Sequence, residues 1–138
     1  MTVDEAEKSI EIAYELRLSG AGYMKLLGPE RVAAACNGAG PERMSERARA
    51  ILSKWLWLFR PCFDIHDCEF TYVCTRDREM FDAVNDRLAE NCKRVSNLRY
   101  KWYNPMRYVA RAAAWIIVGS CREFGWKDWC NAYHGECV

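Results

Sequence analysis

No apolar run in this sequence can cross a bilayer. The longest, Trp55 to Phe59 and Ala112 to Gly119, fall far short of the roughly 20 residues that a spanning helix needs. Charge of one sign is equally lacking. The net charge is +1 over 138 residues, too little to draw the whole molecule to nucleic acid or to an anionic surface. Strict alternation of apolar and polar residues persists nowhere and no segment repeats, so neither a half-buried sheet nor a repeat array is expected. The opening Met1-Thr2-Val3-Asp4-Glu5 has no basic segment followed by an apolar one, and a signal peptide is not expected. Disorder is set aside as well: 51% of residues are hydrophobic and 28% charged, enough to build a core in one domain over residues 1–138.

Cysteine, by contrast, is plentiful. The chain has 8, at positions 36, 62, 68, 74, 92, 121, 130 and 137. An even number suggests disulfides in an oxidising compartment, whereas the lack of a secretion signal favours reduced thiols; both states stay open. Cys130, His134 and Cys137 group soft ligands together, but no second pair of zinc-type spacing accompanies them, so structural zinc is set aside.

The expected class is all-α. Thr2 followed by Glu5 has the form of a capping box and opens a helix to about Leu18, which Gly20 and Gly22 end. Gly28-Pro29 stops and restarts the chain, with a short helix to Ala35. After a Gly-rich stretch, Pro41 opens a helix to Phe59, striped by Met44, Ala48, Ile51, Leu52 and Trp55. Arg60-Pro61 breaks it, and a third long helix runs from Pro61 to Cys74. Thr75 or Asp77 caps a fourth helix to about Lys93. Asn104-Pro105 opens another to Phe124, and a short segment from Trp126 to Tyr133 closes the chain.

The chemistry concentrates at Asp64-Ile65-His66-Asp67. Adjacent residues on a helix point about 100° apart, so His66 and Asp67 address different neighbours. Asp67 can complete a calcium site with carbonyls of the loop Cys36-Asn37-Gly38-Ala39-Gly40-Pro41. His66 is then available as a general base, oriented by Asp86 on the next helix. If those two helices run antiparallel, His66 meets Asp86 at almost the level where Cys62 meets Cys92, a candidate disulfide.

These residues resemble the phospholipase A2 superfamily, and most closely its small phage and bacterial group. The resemblance rests on Asn37-Gly38-Ala39-Gly40-Pro41, on Asp64-Ile65-His66-Asp67, on Asp86-Arg87-Leu88 and, weakly, on Arg122-Glu123-Phe124-Gly125-Trp126. It covers residues 36–133 and leaves residues 1–35 as an N-terminal helical extension. It implies a calcium-dependent hydrolase of the sn-2 ester of glycerophospholipids, acting in lipid degradation. His66 would be the base, Asp86 its orienting partner and Asp67 the calcium carboxylate, with Cys36, Gly38 and Gly40 as backbone carbonyl donors. The family usually has Tyr where this chain has Phe70, so a hydroxyl that supports the catalytic Asp is lost. Tyr72 is a substitute on a different helical face.

From Lys93 to Arg111 the chain has six basic residues and no acid, interleaved with Tyr100, Trp102, Tyr103 and Tyr108. The plainer reading puts the aromatics in the core and the charges on a solvated face. The sharper one makes this stretch, with Trp55 to Phe59, a contact for a phospholipid membrane surface. Nucleic-acid binding is the weaker alternative, for want of a motif. The second function class is therefore a non-catalytic helical interaction or nucleic-acid-binding protein on the same scaffold.

Overall fold

A computed structural model describes residues 1–36, 44–73, 75 and 77–131, and every regular element among them is helical. Helix α1 (Val3–Glu15) opens on the expected capping box. The Thr2 hydroxyl accepts from the Glu5 N–H at 3.1 Å, and the Glu5 carboxylate accepts from the Thr2 N–H at 2.8 Å. Gly20 does more than end α1. At φ 95° it is the N-cap of α2 (Ala21–Leu27), an element the sequence reading missed. A Cβ on Gly20 would meet Ile65 Cγ2 at 2.6 Å, so a glycine is needed both for the left-handed backbone and for the close approach. Helix α3 (Pro29–Ala35) starts at its proline as expected.

The largest correction concerns Pro61. Instead of two helices broken at Arg60-Pro61, a single helix α4 runs from Glu46 to Tyr72 with Pro61 inside it. Pro61 cannot donate to the carbonyl one turn earlier, at Trp57. Trp57 is 59% exposed, so the lost bond falls on the side open to water. Packing of Leu58, Phe59, Cys62 and Phe63, all buried on both sides of the proline, outweighs the local preference to stop. The start also moves: Ser45, accepting from the Ala48 N–H at 3.2 Å, caps α4, and Pro41 lies outside the described residues.

Asp77 caps α5 (Arg78–Arg99), accepting from the Met80 N–H at 2.7 Å. The helix runs past the expected Lys93 because Val95 and Ser96 continue its buried stripe. Asn104 caps α6 (Pro105–Phe124) as expected, and α7 (Trp126–Asn131) follows. Contacts between α4 and α5 pair Trp57 with Arg99, Cys62 with Cys92, His66 with Asn85 and Glu69 with Arg87.

Helix α4 is the axis of the fold, contacted by α1, α2, α3, α5 and α6. One core cluster gathers residues of α1 to α6, including Met24, Phe59, Ile65, Leu88 and Ile117. A smaller aromatic cluster of Phe70, Phe81, Val84 and Trp129 lies beside it. Two polar clamps fix the turn between α1 and α2 against α5. Asn91 exchanges hydrogen bonds with the backbone of Ser19 at 2.9 and 2.8 Å, and Arg94 donates to the Leu16 carbonyl at 2.8 Å.

Candidate active site

His66 is buried, with 8% of its surface exposed, and its partner on α5 differs from expectation. Its Nε2 lies 3.1 Å from Asn85 Oδ1. The Asn85 Nδ2 donates to the Phe81 carbonyl at 3.1 Å, which leaves Oδ1 as the acceptor and places the hydrogen of His66 on Nε2. Asp86, expected in this place, lies on the outer side of α5, where its side chain is 66% exposed and pairs with Arg122 at 2.7 Å.

The physical reason is helical phase. Phe81, Val84, Leu88, Cys92 and Val95 form the buried stripe of α5; position 85 falls within it and position 86 about 100° outside. That stripe is present in the sequence, and it places Asn85 rather than Asp86 on the buried face.

Aromatic side chains enclose His66. Phe63 and Phe70 lie with ring centroids 6.3 and 5.4 Å from it, and Phe70 in turn packs edge-on to Trp129 at 5.1 Å. Phe70 thus fills an aromatic niche. Tyr72, the proposed substitute hydroxyl, instead donates to the Arg31 carbonyl at 2.9 Å and ties the end of α4 to α3.

On another side of α4, ligand atoms of Cys36, Asp64 and Asp67 lie within 4.8 Å of one another. Asp64 is buried and accepts a short hydrogen bond of 2.5 Å from the Ser9 hydroxyl. Burial raises its carboxyl above the usual range, against the pull of Ser9, Arg60 and Cys36. The Cys36 thiol donates to the Asp64 backbone carbonyl at 3.6 Å. Its hydrogen bond with Cys68, burial and the nearby carboxylates all push it far up, so Cys36 is a neutral thiol here.

This set bears on calcium in two ways. The oxygens of Asp64 and Asp67 suit a hard cation, whereas a thiol does not. Cys36 therefore fits calcium only through its backbone carbonyl, the role the resemblance implies. Gly38 and Gly40, the other expected carbonyl donors, lie outside the described residues.

Cys62 and Cys92 do come together, as neighbouring thiols rather than a bridge. The hydrogen bond with Cys62, burial and the nearness of Cys121 raise the Cys92 thiol well above its ordinary value. The Cys36–Cys68 pair was not anticipated.

Glu69, two residues beyond Asp67 on α4, is buried and paired with Arg87. Burial lifts it to about 7, against the charge and hydrogen bond of Arg87. Among the described residues no helix is long and apolar enough to cross a membrane. Comparison with protein-family models, curated proteins and solved structures returned no match for this chain.

Proposed function

We propose that this chain is a phospholipase A2-like hydrolase that cleaves the sn-2 ester of glycerophospholipids with the help of calcium. One observation carries the reading: consecutive residues of α4 present a buried imidazole, His66 bonded to Asn85, and a carboxylate, Asp67, grouped with Asp64 and Cys36. On this reading α4 and α5 are the family's antiparallel pair. His66 takes the proton of the attacking water, its ring held by the bond between Nε2 and Asn85. Asp67 and the carbonyls of Cys36, Gly38 and Gly40 would hold the cation. Calcium bound there would supply Lewis-acid stabilisation of the oxyanion.

Asn85 corrects the assignment of Asp86 and changes the expected rate. An amide fixes the tautomer and the ring plane, but it cannot stabilise the imidazolium by charge as a carboxylate does. Slow hydrolysis follows. Access to a lipid surface has support in Trp57, Trp102, Tyr103 and Tyr108, which are 59%, 72%, 63% and 52% exposed. These aromatics do not form the core that the plainer reading assigned to them. With Arg99, Lys101 and Arg107 nearby in sequence they suit the headgroup zone.

A second reading, a non-catalytic protein on the same scaffold, has its own observation: an amide and a phenyl ring, Asn85 and Phe70, stand around His66. The experiment is fatty-acid release from mixed anionic and zwitterionic vesicles, with calcium or with chelator, by wild type and by His66→Gln. Calcium-dependent release lost in the folded variant supports hydrolysis. No release by the folded wild type at neutral to mildly alkaline pH supports the second reading.

A further inference from the structure

Helix α6 is apolar on both sides. On its inner side Ala110, Ala113, Ala114, Ile117, Val118 and Cys121 are buried, where it packs against α4, α5 and α7. A surface helix ordinarily turns polar and charged residues to water on the opposite side. Here Tyr108, Val109, Ala112, Trp115 and Gly119 are exposed instead, at positions that share one helical face. Trp115 is 80% exposed and Val109 48%. The stripe continues into the preceding turn. The Tyr108 hydroxyl donates to the Trp102 carbonyl at 2.8 Å, and Trp102 packs edge-on to Tyr103 at 5.7 Å, with both rings exposed.

The charge beside this stripe has one sign. From Lys93 to Arg122 the sequence has no Asp or Glu. A groove of about 410 Å³ between α5 and α6 is lined by Trp115, Lys93, Arg111 and Arg122, with the buried Ala114 and Val118, and by no carboxylate among the described residues. Arg122 is paired with Asp86 at 2.7 Å and is left out of the count. Lys93 and Arg111 form no ion pair among the described residues. The contacts of Asn97 with Arg107 and of Asp86 with Arg122 bracket these two cations along the seam between the helices. The flanking acids lie outside the stripe: Glu90 precedes Lys93 on α5, and Glu123 follows Gly119 at the end of α6.

We infer that the outer face of α6 docks on an anionic lipid bilayer, with Trp102, Tyr108, Val109 and Trp115 at headgroup depth and Lys93 and Arg111 among the lipid phosphates. An apolar stripe with aromatic rings, edged by unpaired cations, suits the boundary between headgroups and acyl chains. A second copy of this chain fits less well, because it would set like charges against one another. Nucleic acid fits less well too, since Val109, Ala112 and the half-buried Ile116 give a base neither a ring to stack on nor a hydrogen bond. The inference takes up the lipid contact of the proposed function and gives it a face and a preference for charge. It needs neither His66 nor the carboxylates of the cation site, none of which lines the groove.

The test is flotation of the full chain with vesicles of ether-linked lipids in chelator, either phosphatidylglycerol mixed with phosphatidylcholine or phosphatidylcholine alone. Binding to the anionic vesicles should be about tenfold or more tighter and should weaken with added salt. Trp115→Ser changes a side chain that is already in water, so the fold should persist while binding weakens about tenfold. Lys93→Gln with Arg111→Gln should remove the preference for anionic lipid. Leu26→Ser, on an α2 side chain that is 72% exposed, should leave binding unchanged. Absence of binding by wild type, equal binding to both vesicles, binding unchanged in folded Trp115→Ser, or a dimer in solution that Trp115→Ser abolishes would each overturn the inference. Ether lipids and chelator keep that result separate from the fate of the hydrolase reading, because no ester is present to be cleaved.

Discussion

Two sides of α4, one residue apart in sequence, are built on opposed principles. Towards α5, His66 sits among Phe63, Phe70 and the buried amide of Asn85, where no carboxylate is its partner in the Nε2 hydrogen bond. Towards α1 and α3, Asp64 and Asp67 gather with the Cys36 thiol and the Ser9 hydroxyl. On the first side a neutral amide takes the Nε2 hydrogen bond and aromatic rings pack around the imidazole. The second concentrates negative charge that burial makes costly, as the raised Asp64 carboxyl records. On the proposed reading a base and a cation site would gain from this separation, because an imidazole ringed by carboxylates would be held protonated and unable to accept a proton.

The largest effect that would break this arrangement is expected at Gly20, which sets the depth at which α2 meets α4. Gly20→Val places a branched side chain at φ 95° and 2.6 Å from Ile65, between Asp64 and His66. We expect a loss of about 3 kcal/mol or more in urea denaturation. Retained stability would mean that Ile65 is not a fixed spacer between the two sides.

Removing the carboxylate of the cation side comes next. Asp67→Asn should lower calcium-stimulated release by about 100-fold while the fold persists. Calcium stimulation that survives would move the cation elsewhere. On the same side, Ser9→Ala strips a buried carboxylate of its donor and should cost about 1–3 kcal/mol in thermal or urea unfolding.

Glu69 gives the comparison a pH signature. Its folded value of about 7 lies above the ordinary 4.5, so between these values the folded chain binds more protons than the unfolded one. Stability is then full below about pH 4.5 and falls as pH rises through 7, by on the order of 1–3 kcal/mol. Glu69→Gln should flatten that fall in urea titrations at a series of pH values. An unchanged slope would assign it to Asp64, whose raised carboxyl acts in the same direction.

The sequence revealed the helix starts better than the helix lengths. Thr2, Asp77 and Asn104 cap where their short polar side chains reach N–H groups two or three residues on, a local rule that needs no tertiary knowledge. Pro61 misled for the opposite reason: its local cost is offset by buried neighbours on both sides, which only the folded core supplies. At the candidate site, the His66–Asp67 step and the level of Cys62 with Cys92 were legible from helical geometry. The choice of Asp86 over Asn85 was not a failure of the pattern. The buried stripe already pointed to position 85, and a preference for charge over phase obscured it. Cys36 beside Cys68 was invisible because it joins the end of α3 to α4, and no local spacing rule pairs residues so far apart in sequence.

The smallest effect and the most direct measurement belong together. Asp86→Asn removes one exposed partner of Arg122 and should change stability by less than about 1 kcal/mol. Calcium-dependent fatty-acid release should be compared among wild type, Asn85→Asp and Asp86→Asn. If His66 acts as the base from its seat on position 85, Asn85→Asp supplies the missing charge and raises the rate by about tenfold or more, while Asp86→Asn stays within about twofold of wild type. Release that disappears in Asp86→Asn and is unmoved by Asn85→Asp would contradict the account.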